Sequence, residues 1–258
     1  MTEAGMHRCF IEPAQWSQPE VMLSPEESRH IARVLRMQPG DVVMLMDGQG
    51  YTALAVILAA GPDGVRVQIQ PKTRRYEAPS SVAITLIQAL PKHARMDWIV
   101  QKATELGTRA VWPMLTERVI VRTGCRDVQG RCDRWRKIAR EAGKQSGGAW
   151  VPDIRPVMTL SAILPRLAKF TFPFVASLHA EARPFRDVVN SVSRQTPLAL
   201  ALIIGPEGDF TAEETLALKK AGGLLVRFGP ITLRTETAAL YGLSVLTYAF
   251  SAAYMARG

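Results

Sequence analysis

The feature that most constrains the fold is an uninterrupted apolar run, Leu198–Ile204, which is followed directly by a Gly-Pro pair. A strand that is buried on both faces, as in a parallel sheet, shows no alternation of polar and apolar residues. A second apolar run, Val82–Ala89, precedes a helical pattern over 95–106, and Thr235–Phe250 is predicted as a last long helix. Strands that alternate with helices favour an α/β domain with a parallel sheet.

The rest of this region continues the alternation of strands and helices. The amphipathic helix that we predict in its middle is strongly basic. Further strands are predicted over 110–114, 118–121, 174–178 and 224–228, and further helices over 131–145 and 211–221.

The N-terminal part of the chain has a different pattern. Ser24 to Glu27 form a capping box with proline at the first helical position, and the helix is expected to end before Pro39. Three short strands are predicted next, over 41–46, 51–59 and 65–70, and they suggest a small β-barrel. We therefore divide the chain into a β-barrel domain over 1–72, a polar linker over 73–81 and an α/β domain over 82–258.

Positive charge is concentrated in the middle of the chain. The 258 residues have a formal net charge of +9, and residues 72–155 carry 17 basic and 8 acidic side chains. Such an excess is typical of a surface that binds phosphate groups. However, 24 of the 32 basic residues are arginine, which a GC-rich genome alone would also produce.

Cysteine use and hydropathy exclude several classes of protein. Cys9, Cys125 and Cys132 provide neither a disulfide framework nor a C-x-x-C zinc motif. No apolar run approaches the ~20 residues of a membrane span, and the first residues lack a signal-peptide pattern. We expect a cytoplasmic protein with reduced thiols that binds neither a metal nor a membrane.

Three loops, 178–181, 205–210 and 229–236, follow predicted strands of the α/β domain. Ligands of open parallel sheets bind outside the carboxyl ends of the strands. Two of the loops begin with Gly-Pro, which allows close backbone approach in a stiff turn, so they could hold a nucleoside-like cofactor. Neither G-x-G-x-x-G nor a Walker A motif occurs, which disfavours dinucleotides and nucleoside triphosphates. Alternatively, the loops are tight turns that Thr211 and Thr235 cap.

Basic residues near these features are candidate contacts for an anion. Arg234 stands directly at a predicted helix N-terminus beside the two Gly-Pro loops, where it is well placed to meet an anionic substrate. One basic cluster has arginines at i, i+4 and i+7 of the first helix, and another follows the first strand of the α/β domain. Either cluster could be solvated surface, but we interpret both as phosphate contacts: Arg29, His30, Arg33, Arg36, Lys92 and Arg95.

Several motifs together resemble a known family. They are Arg29-His30-Ile31 with Val34-Leu35-Arg36, residues 101–107, residues 204–208 and residues 233–238. The chain resembles, nearly end to end, the bacterial small-subunit ribosomal RNA methyltransferase E family of the SPOUT superfamily. Members of that family methylate N3 of a uridine in 16S ribosomal RNA (position 1498 in the usual numbering). The last two motifs, at this separation, are the most specific.

The resemblance implies a fold, a cofactor and partners. It implies a parallel sheet with a C-terminal deep trefoil knot, a small PUA-like β-barrel at the N-terminus, and a homodimer. The implied cofactor is S-adenosylmethionine, and the implied substrate is 16S ribosomal RNA in the small subunit, which the phosphate contacts would bind. The implied catalytic residues are Arg234 and Glu236, and the implied cofactor contacts are Leu178, His179, Gly205, Glu207, Gly208, Gly229, Ile231, Leu233 and Ala238.

The implied reaction makes chemical demands on the site. Uracil N3 lies in the Watson–Crick face, so the base must be unpaired or flipped and N3 must lose its proton. Arg234 is interpreted as a fixed cation that stabilises negative charge on the uracil. The proton acceptor is left open between Glu236, Glu207 and bulk water. Two alternatives remain: a SPOUT enzyme that modifies another RNA atom, and a non-catalytic RNA-binding assembly factor.

The chain departs from the family pattern at two places. The helix that usually ends in Glu-Gln-Ser-x-Arg ends here in Lys144-Gln145-Ser146-Gly147-Gly148. If the usual charges orient RNA or brace the dimer, that role has moved or been lost. Asp209 stands where a further glycine is common, and this change is expected to matter little.

Overall fold

The computed structural model describes residues 6–92, 95–119, 125–192 and 198–250. The chain forms two compact units, Met1–Pro79 with Arg140–Val151 and Ser80–Ala139 with Pro152–Gly258. Arg140–Val151 was predicted to lie in the α/β domain, whereas it groups with the first unit in the structure. The physical reason is backbone hydrogen bonding: the Gly50 N–H donates to the Ala149 carbonyl at 3.0 Å, and the Val151 N–H donates to the Gly48 carbonyl at 3.0 Å.

The first unit is built on a six-stranded sheet. Its strands are β1 (Arg8–Phe10), β2 (Glu20–Met22), β3 (Val42–Met46), β4 (Tyr51–Gly61), β5 (Gly64–Ile69) and β6 (Arg75–Tyr76). The order is β1-β3-β4-β5-β2, with β6 paired to β4, and only β1 and β3 run parallel. Burial alternates along β3 to β5, so one face of the sheet packs on the apolar core. The three predicted strands are present, whereas β1, β2 and β6 were not predicted, and β6 lies inside the predicted linker.

The helical segment of the first unit is not one regular helix. α1 (Pro25–Arg29) begins as predicted, with the Ser24 hydroxyl accepting the Glu27 N–H, but His30–Leu35 continues as a wider π-helical turn. Arg36 follows in the left-handed conformation, with φ of 54°. The prediction of three arginines on one face assumed α-helical spacing throughout, and this turn removes that basis. Short 3₁₀ turns elsewhere in the unit span Pro13–Ser17 and Pro71–Thr73.

The second unit contains an entirely parallel eight-stranded sheet, as the apolar runs predict. Its strands are β7 (Val82–Ala89), β8 (Ala110–Leu115), β9 (Asp153–Ile154), β10 (Met158–Thr159), β11 (Phe172–Ala176), β12 (Arg183–Pro184), β13 (Leu198–Ile204) and β14 (Leu224–Arg227). The order is β10-β8-β7-β13-β11-β14-β12, and β9 also pairs with β8. The longest pairing joins β13 to β7 at the centre, where the side chains of Leu86, Leu200 and Leu202 are fully buried.

Helices connect these strands. They are α2 (Arg95–Glu105), α3 (Cys125–Ser146), α4 (Leu160–Ile163), α5 (Phe185–Ser191), α6 (Ala212–Lys220) and α7 (Thr235–Phe250), and a 3₁₀ turn over Leu164–Lys169 follows α4. α7 packs on α2, β7 and β13. The strand predicted over 118–121 is absent at Arg118 and Val119, which lie in a turn, and its other two positions are outside the described residues. None of the helices in the described part of the chain combines the length and apolar character that a bilayer span requires.

Candidate functional site

Three loops of the second unit meet at one edge of its sheet. β13, β11 and β14 are neighbouring parallel strands, so their carboxyl ends lie at the same edge. We call the segments that follow them the first loop (177–182, after β11), the second loop (205–211, after β13) and the third loop (228–234, after β14). This edge is the usual ligand position in an open parallel sheet.

Asp209 joins the first loop to the second. Its Oδ2 accepts hydrogen bonds from the Leu178 N–H at 2.8 Å and from the Ser177 hydroxyl at 3.3 Å, while Oδ1 accepts the Phe210 N–H at 2.8 Å. The backbone of Asp209 is left-handed, with φ of 59°, which explains why glycine also suits this position. The expectation that this residue matters little therefore overlooked its carboxylate.

We predict that Asp209→Gly weakens cofactor binding by about three- to tenfold, or about 0.7–1.4 kcal/mol. This is part of the roughly 1.5–3 kcal/mol that a hydrogen bond to a charged group contributes, because water takes the place of the carboxylate in the variant. Glycine keeps the left-handed backbone, so the variant removes the carboxylate alone. Asp209→Asn retains one side-chain acceptor, so its dissociation constant for the cofactor is expected to lie between those of the wild type and Asp209→Gly. Isothermal calorimetry measures the dissociation constants, and equal values for all three proteins would contradict the prediction.

Hydrogen bonds join the first residue of α7 to the carboxyl ends of β7 and β13. The buried Thr235 hydroxyl donates to the Gly205 carbonyl at 3.0 Å and accepts a hydrogen bond from Gln88 Nε2 at 3.0 Å. Gly205 is itself tightly enclosed, since an added Cβ would lie 3.1 Å from the Phe210 ring. The sequence offered one overlooked signal, a glutamine near the end of an otherwise mostly apolar strand.

A charged cluster lies at the same edge. One guanidinium nitrogen of Arg95 lies 3.5 Å from a carboxylate oxygen of Glu236 and 3.7 Å from one of Glu207. Glu207 also accepts the Lys92 N–H at 2.9 Å. Glu236 Oε2 is buried without a hydrogen bond, so its contact with Arg95 is purely ionic. Arg95 and Lys92 therefore contact two of the predicted site carboxylates, and their predicted contact with phosphate stays a prediction.

Arg234 is the exposed cation of this site. Its carbonyl accepts the Ala238 N–H at 2.8 Å, which holds its backbone in the first turn of α7. Its side chain is exposed and makes no hydrogen bond or ion pair within the described part of the chain. By contrast, Arg118 donates to the carbonyls of Gly208 and Asp209, so it braces the second loop. No role for Arg118 was predicted from the sequence.

An open cleft of about 560 Å³ lies beside the first and third loops. Its walls are formed by Leu178, residues 184–186, residues 227–232 and Tyr241. Leu178 and Ile231 are 58% and 76% exposed, and apolar side chains presented at a cleft suit contact with a flat, partly apolar ligand. Leu178, Gly229 and Ile231 are predicted cofactor contacts that line this cleft. The other six lie on the same loops or in α7 but outside its walls: His179, Gly205, Glu207, Gly208, Leu233 and Ala238.

The remaining predicted phosphate contacts belong to the first unit. Arg29, His30, Arg33 and Arg36 are all exposed there. Arg29 donates to the Pro25 carbonyl at 3.2 Å, and the ring of His30 stacks on that of His7 with a centroid distance of 5.0 Å.

The altered segment 144–148 is held by a polar cluster inside the first unit. Lys144 Nζ lies 2.9 Å from Glu27 Oε1 and 2.7 Å from Glu141 Oε1, and both Lys144 and Glu27 are largely buried. Burial acts to lower the pKa of Lys144, but its hydrogen bonds to the two carboxylates outweigh burial and raise the pKa. Gly147 follows in the left-handed backbone conformation, with φ of 78°, which favours glycine at this position. Lys144 thus neutralises a buried carboxylate in the first unit.

His7 makes the stability of this cluster depend on pH. Burial, together with the positive charges of His30 and Lys144, lowers its pKa from 6.5 to about 4. The folded state therefore binds the His7 proton less readily than the unfolded chain does. The contribution of neutral His7 to the free energy of unfolding is complete above pH 6.5, and it is lost as the pH falls from there towards about 4.

We predict that His7→Gln makes the free energy of unfolding less sensitive to pH across this window. Urea denaturation at pH 7.5 and pH 5 measures the difference in each protein, and other titrating groups cancel in the comparison. His179→Gln, at an exposed histidine of the second unit, is the control and is expected to keep the wild-type slope. An unchanged slope in His7→Gln would refute the prediction.

Comparison with known proteins identifies both parts of the chain. Residues 78–247 match the model of an RNA methyltransferase domain, and residues 23–70 match that of an RNA methyltransferase PUA domain. The ribosomal RNA small subunit methyltransferase E of Bacillus subtilis is 33% identical over 251 residues, which cover 94% of this chain and 96% of that protein. The protein of the same name from Mycobacterium bovis is 32% identical over 86% of this chain and 83% of its own length.

Solved structures agree with these sequence matches. A methyltransferase of Legionella pneumophila in complex with bound SAM superposes with a TM-score of 0.84 at 33% identity, covering 95% of this chain and 98% of that one. The ribosomal RNA small subunit methyltransferase E of Neisseria gonorrhoeae, bound to S-adenosyl methionine, gives a TM-score of 0.80 at 28% identity. That match covers 94% of this chain and 97% of that one.

Proposed function

Because the chain belongs to the ribosomal RNA small subunit methyltransferase E family, we propose that it methylates N3 of one uridine in 16S ribosomal RNA. The methyl donor is S-adenosylmethionine, and the substrate is the RNA of the small subunit in the cytoplasm. The observation that carries this proposal is the meeting of three loops at one sheet edge, with a cleft beside the first and third loops and the exposed Arg234 at the end of the third.

The residues at the cleft suit the cofactor. S-adenosylmethionine supplies an electrophilic methyl group on a sulfonium. The exposed side chains of Leu178 and Ile231 offer apolar surface for an adenine ring, and the backbone of the glycine-containing loops offers hydrogen-bonding groups. The cleft volume of about 560 Å³ lies in the usual range of small-molecule sites. The nine predicted contacts on these loops and α7 are our proposal for the cofactor site.

The chain's own residues would position and polarise the uracil. N3 becomes nucleophilic as it loses its proton, and the negative charge then spreads to the neighbouring carbonyl oxygens. Arg234, a cation with no partner of its own in the described part of the chain, would stabilise that charge with little reorganisation. Glu236 is the proposed proton acceptor among the candidates, since its buried Oε2 has an ionic contact with Arg95 but accepts no hydrogen bond, which leaves it able to accept a proton.

We also propose the trefoil knot and the homodimer of the family. The hydrogen bonds from Thr235 to the second loop and to Gln88 support the knot, because they join α7 to the ends of two central strands. The ring of Tyr248, 84% exposed on α7, supports a dimer, since packing against a second copy would remove its apolar surface from water. Sedimentation equilibrium of the full chain tests the dimer.

We expect ribosomal RNA to contact the arginines of α1 and its π-helical extension. Arg29→Glu combined with Arg33→Glu should weaken binding to small-subunit RNA by about tenfold and flatten its dependence on salt, because phosphate contacts release counterions. Electrophoretic mobility shifts at several salt concentrations measure both quantities. An affinity equal to that of the wild type would remove this segment from the interface.

The function is tested by methyl transfer from labelled S-adenosylmethionine to small ribosomal subunits that lack the modification, with the product nucleotide mapped. We expect label at N3 of a single uridine. Label at another atom would retain the cofactor and the fold but assign a different RNA methyltransferase activity. Binding of the cofactor and RNA without label would instead favour an assembly factor.

A further inference from the structure

Four aromatic side chains form a continuous row in the first unit. Trp16, Tyr51, Tyr76 and Trp150 contact one another in that order, with centroid distances of 6.3, 4.8 and 6.3 Å. The Arg74 guanidinium lies over two of these rings, 5.0 Å from the centre of Trp16 and 4.7 Å from that of Tyr51. We call these four rings with Arg74 the aromatic row.

The backbone holds the aromatic row in place. Tyr51 and Tyr76 are directly opposite in the β4–β6 pairing. The Trp150 indole N–H donates to the Glu77 carbonyl at 2.9 Å, and that of Trp16 donates to Asp47 at 2.9 Å. Gly50, with φ of 100°, has no room for a side chain, because a Cβ would lie 2.9 Å from the rings of Trp150 and Tyr76. The rings are thus ordered before any ligand arrives.

The two tyrosines of the aromatic row are exposed and bordered by cations. Tyr76 is 52% exposed and Tyr51 is 36% exposed. Lys72 and Arg74 are exposed, and Arg74 lies with Tyr76 in residues 73–81, which were predicted as a linker. Preordered aromatic faces beside lysine and arginine are what unpaired nucleotides bind, since bases stack on the rings and phosphates pair with the cations.

We propose that the aromatic row is a second RNA-binding surface, which stacks unpaired bases on Tyr76 and on the guanidinium plane of Arg74. The choice of RNA as the ligand rests on the proposed function, but the surface lies in the other compact unit from the cofactor loops. Lys72 would contact the phosphate of a stacked nucleotide. The surface binds single-stranded RNA, because the faces of paired bases are not available for stacking on a side chain.

The test measures binding of the full-length chain to a fluorescent single-stranded RNA 12-mer by anisotropy. Tyr76→Leu keeps apolar packing but removes the ring, and we expect it to weaken binding by about tenfold, within the range that stacking contributes per base. Tyr76→Phe keeps the ring and is expected to bind within about twofold of the wild type. Trp98→Leu, at a tryptophan of α2 that is 42% exposed, is the control for loss of an exposed ring and should bind as the wild type does. Urea denaturation of each variant shows whether the fold is retained.

Several outcomes would overturn the proposal. The first is wild-type affinity for the RNA in Tyr76→Leu, and the second is a loss of affinity in Tyr76→Phe as large as that in Tyr76→Leu. The third is an equal loss of affinity in Tyr76→Leu for an RNA duplex, which would indicate contact with the RNA backbone alone. The result is separable from the proposed function. If the wild type methylates small subunits but Tyr76→Leu binds RNA normally, only the surface is wrong. If methylation fails while Tyr76→Leu loses RNA affinity, only the assigned reaction is wrong.

Discussion

Arg234→Ala is expected to lower kcat for methyl transfer by about 10²–10³-fold or more, since removal of one preorganised group that stabilises developing charge costs that much. The affinity for S-adenosylmethionine should stay within about twofold, because the described part of the chain holds this side chain by no hydrogen bond or ion pair. Arg234→Lys retains the charge without the planar guanidinium and should recover part of the rate.

Single-turnover methylation of small subunits and calorimetry with the cofactor measure the two quantities separately. Arg183→Ala, at an exposed arginine on β12 of the same unit, controls for the general loss of one positive charge. Loss of cofactor affinity in Arg234→Ala would make Arg234 a cofactor or structural residue. Full activity in that variant would remove it from the reaction altogether.

Thr235→Val is expected to destabilise the second unit by about 1–3 kcal/mol, the typical cost of leaving a buried polar group without its partner. Valine has nearly the same shape, so the change isolates the hydroxyl, which joins the Gly205 carbonyl and the Gln88 amide. Because Gly205 begins the second loop, we also expect weaker binding of S-adenosylmethionine, by about tenfold for a loss of 1.4 kcal/mol.

Urea denaturation and calorimetry measure these two effects, and Thr235→Ser is the matched control because it keeps the hydroxyl. The serine variant should retain most of the stability and the cofactor affinity. A valine variant as stable as the wild type would mean that Thr235 only begins the helix, which was the alternative considered from the sequence. An equal loss in both variants would contradict the prediction, since serine keeps the hydroxyl, and would indicate that this buried position tolerates no change of side chain.

Several features were predictable because neighbouring residues alone determine them. The apolar runs Val82–Ala89 and Leu198–Ile204 and the helix Thr235–Phe250 were predicted with the bounds that the structure has. Long segments with a clear pattern carry enough local information to specify a buried strand or a helix. The positions of the three loops followed from the same reasoning, since each loop comes after a strand of a parallel sheet.

Other features escaped prediction because they depend on residues far apart in the chain. β9, β10 and β12 have two residues each, too few for a periodic pattern, and they exist only because a neighbouring strand offers hydrogen bonds. The π-helical turn at His30–Leu35 has an ordinary helical composition, so its wider spacing could not be inferred. The segment Arg140–Val151 reads as the end of one helix, yet its contacts lie with the first unit.

The sequence by itself determined the parallel sheet, the order of loops and helices along the chain, and the candidate residues, because hydrophobic periodicity and turn chemistry are local. Only the tertiary structure decided which of these residues meet. The hydrogen bonds of Asp209 with Leu178 and of Thr235 with Gln88, and the ion pair of Lys144 with Glu27, join residues separated by 31, 147 and 117 positions. Such pairings follow from the order of strands in the sheets and from packing between elements, which no local pattern contains.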